Sequence, residues 1–364
     1  MTSNKNKSSK NKRIKANTKI QCIWLVRYGL TEHALIEDVG PYDSDIDPKE
    51  GIEHAQCIAK RIANGHQCQV IVHVDDNNNN NDVNSNNEIT SETVTEDSTI
   101  PKVVYADPFM RTTHTGHIIA QELCNNNNKN DIKLRSEDGL WEWLIPSLLV
   151  VKSTGIKTEP QSRNDLKDKF NSIDINYQSI QSYKDQMMFT FPESEQQLLN
   201  RCEITLSKLI QTTESENESE NENEAEDTND TNKNNYESIC IVSHAPCLQA
   251  MAYYLDTIDS TSTSSSPIKE SSTIVKPWPL GGITMFSRII TTTTTTTTSI
   301  IAEEHDDIDD EDDDDDESKV KDKDVICSKW KCEFYGCTNH MIDDYKNGIK
   351  EWSLPCFDTT TPSS

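Results

Sequence analysis

The sequence predicts an α/β fold: a three-layer sandwich with a mostly parallel central sheet, interrupted by long disordered insertions. Short runs of apolar, β-forming residues lack polar alternation, which is typical of strands buried on both faces. Segments with apolar residues at helical spacing alternate with these runs, and this order favours a sheet with helices on both faces. Several low-complexity blocks predict the insertions.

The elements can be assigned in order along the chain. The first strand is the apolar run IQCIWLV at 20–26, and the first helix, 48–63, has apolar residues every three or four positions. The other predicted strands are 70–74, 103–106, a run from Ser238 (SICIVSHA), 282–290 and 325–334. The other predicted helices are 111–123, 193–210 and 246–255.

Low-complexity blocks rich in Asn, Glu, Ser, Thr or Asp divide the chain. Apolar residues make up only 33% of it, against about 45–50% in ordinary globular domains. Such blocks bury too little apolar surface to offset the entropy of ordering them. We therefore predict a basic disordered tail at 1–19 and one domain at 20–358, interrupted near 75–99, 212–235, 257–273 and 291–324.

Charge and cysteine content limit the location and the partners. The net charge is −27, and thirteen of the acidic residues lie in 303–317. This run is interpreted as a solubilising loop, with a docking segment for basic partners as the alternative. The basic start KNKSSKNKRIK is either a nuclear localisation signal or a charged tail. Eleven cysteines among aliphatic neighbours favour buried thiols. With no long apolar stretch and no signal peptide, we expect a cytoplasmic or nuclear protein without membrane contact.

Three predicted strands end in polar clusters that bear cationic side chains. The blocks are LVRYG from Leu25, VYADPFMRT from Val104 and IVSHA from Ile241. In open α/β sheets, ligands bind outside the carboxyl ends of the strands. The blocks bring Arg27, Arg111 and His244 to that edge. Two guanidinium groups and an imidazole suit a phosphate monoester, which arginine grips with paired hydrogen bonds.

These blocks resemble the histidine phosphatase superfamily, also called the phosphoglycerate-mutase-like family. Its signature is Arg-His-Gly after the first strand, Ser-Pro-x-x-Arg-x-x-x-Thr before a helix, and Ser-His-Gly after a later strand. The corresponding segments here are RYG from Arg27, DPFMRTTHT from Asp107 and SHA from Ser243. GLWEW from Gly139 resembles the segment that supplies the acid, and PES from Pro192 resembles the Gly-Glu-Ser that opens a later helix. The resemblance covers about 20–288, with gaps at the inserts.

The resemblance implies a phosphoglycerate-mutase-like fold and a set of site residues. Arg27, Arg111 and His244 would hold the phosphoryl oxygens and the charge of the transition state. A carboxyl group would protonate the leaving oxygen. Glu142 is the first candidate for that acid and Asp138 is the second.

Tyr28 departs from the family pattern, because it stands where the nucleophilic histidine belongs. A neutral imidazole has a free lone pair at pH 7, whereas a phenol has a pKa of about 10 and is barely ionised there. The phenol also reaches further and occupies space meant for phosphate. His33, in a predicted loop, is a candidate substitute. Ala245 replaces a glycine of the family pattern, which costs stability if that position requires positive φ.

Three functional hypotheses follow. The leading one is a histidine-phosphatase-like protein, catalytically impaired at Tyr28, that retains a phosphate-binding pocket. The first alternative is an active phosphomonoesterase, which relies on the otherwise retained pocket. The second is a nuclear interaction subunit of a transcription complex, since domains of this family occur in a fungal transcription initiation factor. The expected partners are a phosphorylated small molecule or phosphoprotein and further proteins, without direct contact to nucleic acid.

Cysteines suggest two further sites, neither of which is favoured. Cys327, Cys332, Cys337 and His340 have a spacing that matches no common zinc pattern. Cys247 at a predicted helix start is either a thiol of lowered pKa or a small buried residue. We predict no metal and no cofactor.

Overall fold

The structure is a computed structural model that divides into two compact units. The main unit comprises Ile20–Arg288 and Lys329–Ser364, and the smaller unit comprises Met1–Lys19 and Ile289–Ser328. The residues that the structure describes are 11–31, 44–73, 89–94, 99–127, 132–143, 145, 161–182, 192–223, 237–258, 276–298, 320–341, 351–352 and 354.

Strands and helices are interspersed through the first two thirds of the described chain, where three strands follow one another directly after the first helix. The strands are β1 (Asn11–Arg27), β2 (Cys68–His73), β3 (Ile89–Val94), β4 (Val103–Ala106), β5 (Leu134–Ser136), β6 (Glu237–Ser243), β7 (Trp278–Pro279), β8 (Ile283–Thr298), β9 (Val320–Cys327), β10 (Lys331–Cys337) and β11 (Glu351–Trp352). The helices are α1 (Glu50–Ala63), α2 (Met110–Asn127), α3 (Arg163–Lys169), α4 (Glu195–Asn223), α5 (Ala245–Thr257) and a 3₁₀ helix at Asp138–Leu140.

A central sheet organises the main unit, with the strand order β10-β8-β1-β6-β4-β5. The pairs β1–β6, β6–β4 and β4–β5 are parallel, whereas β10 pairs with β8 in antiparallel fashion. The predicted α/β class with a central sheet is therefore confirmed. In the smaller unit, the end of β8 pairs with β9 in antiparallel register.

Successive side chains of β1 face opposite layers, because side chains alternate along a strand. Ile23 and Leu25 belong to a fully buried cluster with the apolar stripe of α4 and with α5. Trp24 lies on the other face, where the Arg61 guanidinium of α1 packs 5.5 Å from its ring centroid. Helices α1 and α2 pack against each other, as do α4 and α5. The sheet thus has helices on both faces, which makes three layers.

The structure differs from the predicted limits of one strand and of several inserts. The predicted strand 325–334 is wrong as one element, because residues 328–330 separate β9 from β10. Strand β3, the ends of α4 and β8, and the start of β9 fall within the blocks predicted as inserts. Residues 11–19 of the predicted tail belong to β1, whereas 1–10 and most of the rest of those blocks lie outside the described residues, so the domain limits stay predictions. No helix among the described residues is long and apolar enough to cross a membrane.

Candidate active site

The ends of three neighbouring parallel strands position the predicted site residues. Arg27 is the last residue of β1 and is paired in register with Ser243, the last residue of β6. His244 follows directly and precedes the first residue of α5. Arg111 lies in the first turn of α2, which begins four residues after β4 ends. The same sheet edge therefore carries all three cationic side chains.

Arg111, Glu142 and His244 form a buried cluster. Glu142 Oε2 lies 2.7 Å from His244 Nδ1 and 3.6 Å from Arg111 Nη2. Arg111 Nη2 also lies 3.3 Å from His244 Nδ1. Each of the three residues is at most 9% exposed. Glu142 thus supplies the carboxylate of the cluster, whereas Asp138, the second candidate, is half-buried in the 3₁₀ helix.

Tyr28 lies among the cations. Its ring centroid is 5.1 Å from Arg111 Cζ and 5.9 Å from Arg27 Cζ. The imidazole of His244 contacts it edge to face, with 5.2 Å between ring centroids. Arg27 also donates a hydrogen bond from Nη1 to Trp278 O at 2.7 Å, which anchors one arm of its guanidinium. The structure therefore brings together Tyr28 and the residues predicted to bind phosphate.

Asp107 belongs to the cluster but was not among the predicted site residues. Its Oδ2 lies 2.7 Å from His244 Nε2, so a carboxylate lies against each imidazole nitrogen. Asp107 is fully buried, and its Oδ1 accepts a hydrogen bond from Phe109 N at 2.8 Å. The signal was present in the sequence: Asp107 occupies the serine position of the family pattern.

Electrostatics fix the protonation of the cluster. Burial opposes the imidazolium of His244, but the charges of Glu142 and Asp107 outweigh it and raise the pKa of His244. Burial also opposes ionisation of Glu142, yet His244, and then Arg111, hold the pKa of Glu142 well below its usual value. At neutral pH the cluster therefore contains an imidazolium and a carboxylate.

The same cations act on the phenol of Tyr28. Burial is the largest single effect and favours the neutral phenol, but the charges of Arg111, Arg27 and His244 together lower the pKa of Tyr28 below its usual value. Glu142 opposes that shift. Ionisation of this phenol is therefore easier than that of an ordinary tyrosine.

Backbone contacts hold position 28 from three sides. Arg27 N donates to Gly282 O at 3.1 Å, and Gly281 N donates to Tyr28 O at 3.2 Å. Gly29 N donates to Thr115 Oγ1 at 3.2 Å. None of these three hydrogen bonds involves the phenol, so each of them is available to another side chain at this position.

A second buried ion pair supports the loop that carries Glu142, and sequence reasoning missed it. Arg201 of α4 contacts both carboxylate oxygens of Glu193, at 2.8 and 2.9 Å. Its Nη1 donates to Gly139 O at 3.0 Å and to Trp141 O at 3.1 Å. The residues themselves lay in predicted segments, PES and the α4 stripe, but their pairing has no sequence signature.

The remaining candidates lie outside the cluster of Arg111, Glu142 and His244 or outside the described residues. His33 lies outside the described residues. Cys247 is fully buried, and burial raises the pKa of its thiol, so the hypothesis of a lowered pKa is wrong. Ala245 is the first residue of α5 and adopts the helical conformation, so no positive φ is needed there. Cys327 is exposed on β9, and Cys332 is half-buried on β10.

Comparisons with known proteins give matches among solved structures only: no family model and no curated protein matches the chain. The chain is similar to an ecdysone phosphate phosphatase from Bombix mori in complex with tungstate, with 14% identity and a TM-score of 0.44, covering 73% of this chain and 88% of that one. It is also similar to a phosphoserine phosphatase mutant from Entamoeba histolytica in complex with phosphoserine, with 13% identity and a TM-score of 0.36, covering 88% of this chain and 100% of that one. A third similar structure is a mycobacterial glucosyl-3-phosphoglycerate phosphatase in complex with VO3, with 10% identity and a TM-score of 0.37, covering 73% of this chain and 91% of that one.

Proposed function

We propose that the chain is a histidine-phosphatase-like protein that binds a phosphorylated ligand through Arg27, Arg111 and His244 and is impaired as a phosphatase. One observation carries the proposal. The ring of Tyr28 lies 5.1 Å from Arg111 Cζ, 5.9 Å from Arg27 Cζ and 5.2 Å from the His244 ring. The residue in the nucleophile position therefore lies inside a cationic site that suits phosphate.

The charge of the site supports anion binding. Arg27, Arg111 and the imidazolium of His244 contribute three positive charges, and Glu142 and Asp107 contribute two negative ones. The difference, three minus two, leaves one excess positive charge at the edge of the sheet. Arginine donates paired hydrogen bonds to phosphate oxygens, and the excess charge favours a dianion over a neutral ligand.

Two features support impaired catalysis. First, a phenol is mostly protonated at neutral pH, whereas the imidazole of the family has a lone pair ready to attack phosphorus. Second, Glu142 has a pKa well below its usual value, so it carries no proton for a leaving oxygen in the ligand-free site. The nucleophile and the acid of the family mechanism are therefore both unsuited to their roles in this state.

One observation favours the alternative, an active phosphomonoesterase. The cations around Tyr28 lower the pKa of its phenol, which increases the fraction of nucleophilic phenolate. In this alternative, the phenolate of Tyr28 attacks phosphorus, the P–O bond to the alcohol breaks, and the alcohol leaves with a proton from solvent. Water then hydrolyses the phosphotyrosine, which releases inorganic phosphate and restores Tyr28. Turnover of a phosphate ester by the wild-type chain distinguishes the two proposals.

The partners and the location stay predictions. The expected ligand is a phosphorylated small molecule or a phosphoprotein. The nuclear interaction hypothesis depends on the basic start of the chain. Imaging of a tagged chain with and without residues 1–19 tests whether that segment directs the protein to the nucleus.

Binding is tested by thermal unfolding with added phosphate or vanadate. A ligand that binds only the folded chain stabilises it by about 2.7 kcal/mol at a hundredfold excess over its Kd. We expect a rise in Tm for the wild-type chain and a much smaller rise for Arg111→Gln. Lys208→Gln, which removes a charge from an exposed position of α4, is the matched control and keeps the full rise. An equal rise in all three proteins contradicts the proposed site.

Catalysis is tested with an aryl phosphate ester. The proposal predicts no turnover by the wild-type chain above the rate of the Tyr28→Phe variant, and measurable turnover by Tyr28→His. Turnover by the wild type that disappears in Tyr28→Phe overturns the proposed impairment and supports the phosphomonoesterase. Binding and catalysis are thus tested separately.

A further inference from the structure

A second group of potential ligands lies away from the phosphate site, on the α1 face of the sheet. It consists of His66, between α1 and β2, Cys68, the first residue of β2, and Glu333 of β10. Each offers one ligand atom, and these atoms all lie within 4.8 Å of one another. We propose that His66, Cys68 and Glu333 bind a zinc ion.

The donor set matches the chemistry of zinc. Imidazole nitrogen, thiolate sulfur and carboxylate oxygen are its three protein ligand types, and metal–ligand distances of about 2.0–2.3 Å place neighbouring donors roughly 3.3–3.7 Å apart. Closing the group onto an ion therefore requires only small side-chain movements. A thiolate and a carboxylate also neutralise the charge of a divalent ion. The mixed nitrogen and sulfur donors favour zinc over calcium or magnesium, which prefer oxygen ligands.

Neighbouring side chains hold two of the ligands in place. Cys22 of β1 is fully buried, and its thiol forms a side-chain hydrogen bond with the thiol of Cys68. Ser287 of β8 donates a hydrogen bond from Oγ to Glu333 Oε1 at 2.5 Å. Such supporting hydrogen bonds orient metal ligands.

Two cations border the group, and both must be accommodated. Lys331 Nζ lies 2.9 Å from Glu333 Oε2, but its side chain is 61% exposed and can release the carboxylate at little cost. Arg61 Nη2 lies 3.4 Å from His66 Nδ1. The Arg61 guanidinium is held by Gly65 O and lies over the ring of Phe334, 5.2 Å from its centroid. Zinc therefore competes chiefly with Lys331 for the carboxylate of Glu333.

Zinc binding is tested on the full chain with zinc alone, by competition against a chelating dye after treatment with EDTA. We expect the wild type to bind one zinc ion per chain. We expect this binding to be lost in Cys68→Ser, Glu333→Gln and His66→Gln. Loss of a supporting hydrogen bond typically costs about 10- to 100-fold in metal affinity, so removal of a ligand is expected to cost at least as much. The control Cys327→Ser, at an exposed cysteine of β9, keeps the wild-type affinity. Lys331→Gln binds zinc more tightly, because it removes the competing cation.

Cobalt provides a second readout that reports thiolate ligation directly. The cobalt complex of the wild type and of Cys327→Ser is expected to show a thiolate-to-metal charge-transfer band that Cys68→Ser lacks. Circular dichroism and Tm of the metal-free variants establish that they fold. If Cys68→Ser does not fold, the zinc affinity of His66→Gln in the dye competition decides whether the proposed site binds zinc. The proposal is overturned if the wild type binds no zinc, if Cys68→Ser and Cys327→Ser bind it equally, or if calcium displaces it.

Discussion

At the residue scale, the chemistry of the site depends on how its charges are arranged around position 28. Glu142 and Asp107 lie on opposite nitrogens of His244, each at 2.7 Å, and keep it protonated. The imidazolium and the two guanidinium groups then act on the phenol of Tyr28. The phenol of Tyr28 is therefore easier to ionise than that of an ordinary tyrosine.

The phenol of Tyr28 is expected to ionise at lower pH than an ordinary tyrosine. The nearby positive charges stabilise the phenolate more than burial opposes it, so the pKa falls below the usual value of about 10. Ultraviolet absorbance titrations of the wild type and Tyr28→Phe, subtracted from each other, isolate this one phenol among ten tyrosines. A difference spectrum that appears only at pH 10 or above refutes the prediction.

Removing the charge of Glu142 should strengthen phosphate binding. Its carboxylate lies against Arg111 and His244, so an incoming dianion must approach a like charge. Two charges about 4 Å apart interact by roughly 4 kcal/mol at a partly buried site, so Glu142→Gln should raise the affinity at least about tenfold. Isothermal titration with phosphate measures the change. Asp138→Asn is the matched control; an equal gain there shows that the effect is general and not due to Glu142.

At the element scale, the loop that carries Glu142 depends on α4. Arg201 pairs with Glu193 and holds two loop carbonyl groups, Gly139 O and Trp141 O. Helix α1 has a corresponding role on the other side, because Gly51 lies against the backbone that follows Tyr28. Both helices therefore position site residues through contacts to the backbone of the neighbouring loops.

Glu193→Gln is expected to lower the free energy of unfolding by about 3–5 kcal/mol, because it leaves the buried guanidinium of Arg201 without its counter-ion. Urea denaturation measures the loss. Glu203→Gln, at an exposed position of the same helix, should change it by no more than about 0.5 kcal/mol. Similar values for the two variants would mean that the ion pair contributes nothing beyond a surface charge.

Gly51→Ala should destabilise the fold, although alanine normally favours a helix. A β-carbon at this position would lie 2.2 Å from Leu30 O, a backbone atom that cannot move without shifting the loop after Tyr28. We expect a loss of about 1–3 kcal/mol, against the gain of about 0.4–1 kcal/mol usual for such a change. Chemical denaturation gives the sign, and Lys60→Ala on the exposed face of α1 is the control. A net gain in stability would exclude the close approach.

At the scale of the whole molecule, the fold class was predictable because the strands buried on both faces have a clear sequence pattern. The predicted strand 103–106 and the predicted helix 48–63 lie within two residues of the observed ends, whereas the predicted strand 20–26 matches only the end of β1, which begins at Asn11. Strand 325–334 failed because periodicity does not reveal a break such as 328–330. The pattern of a strand or helix depends on residues that are close in sequence, so it can be recognised from the sequence alone.

The site was predictable in part for the same reason. Arg27, Arg111 and His244 follow strands whose ends meet at one edge of the sheet, and their convergence follows from topology. Asp107 as a partner of His244 and the Arg201–Glu193 pair depend on side-chain contacts between distant segments, which periodicity does not encode. The group of His66, Cys68 and Glu333 was missed for the same reason, since one ligand lies far along the chain from the other two.

The backbone contacts around position 28 have a consequence for descent. Gly281, Gly282 and Thr115 hold the main chain without help from the phenol. A tyrosine codon becomes a histidine codon by exchange of one base, and the scaffold would accept either product. On the function proposed above, a lineage would therefore lose or regain phosphatase activity by one mutation, while the architecture, and any role that depends on ligand capture alone, stayed as it was.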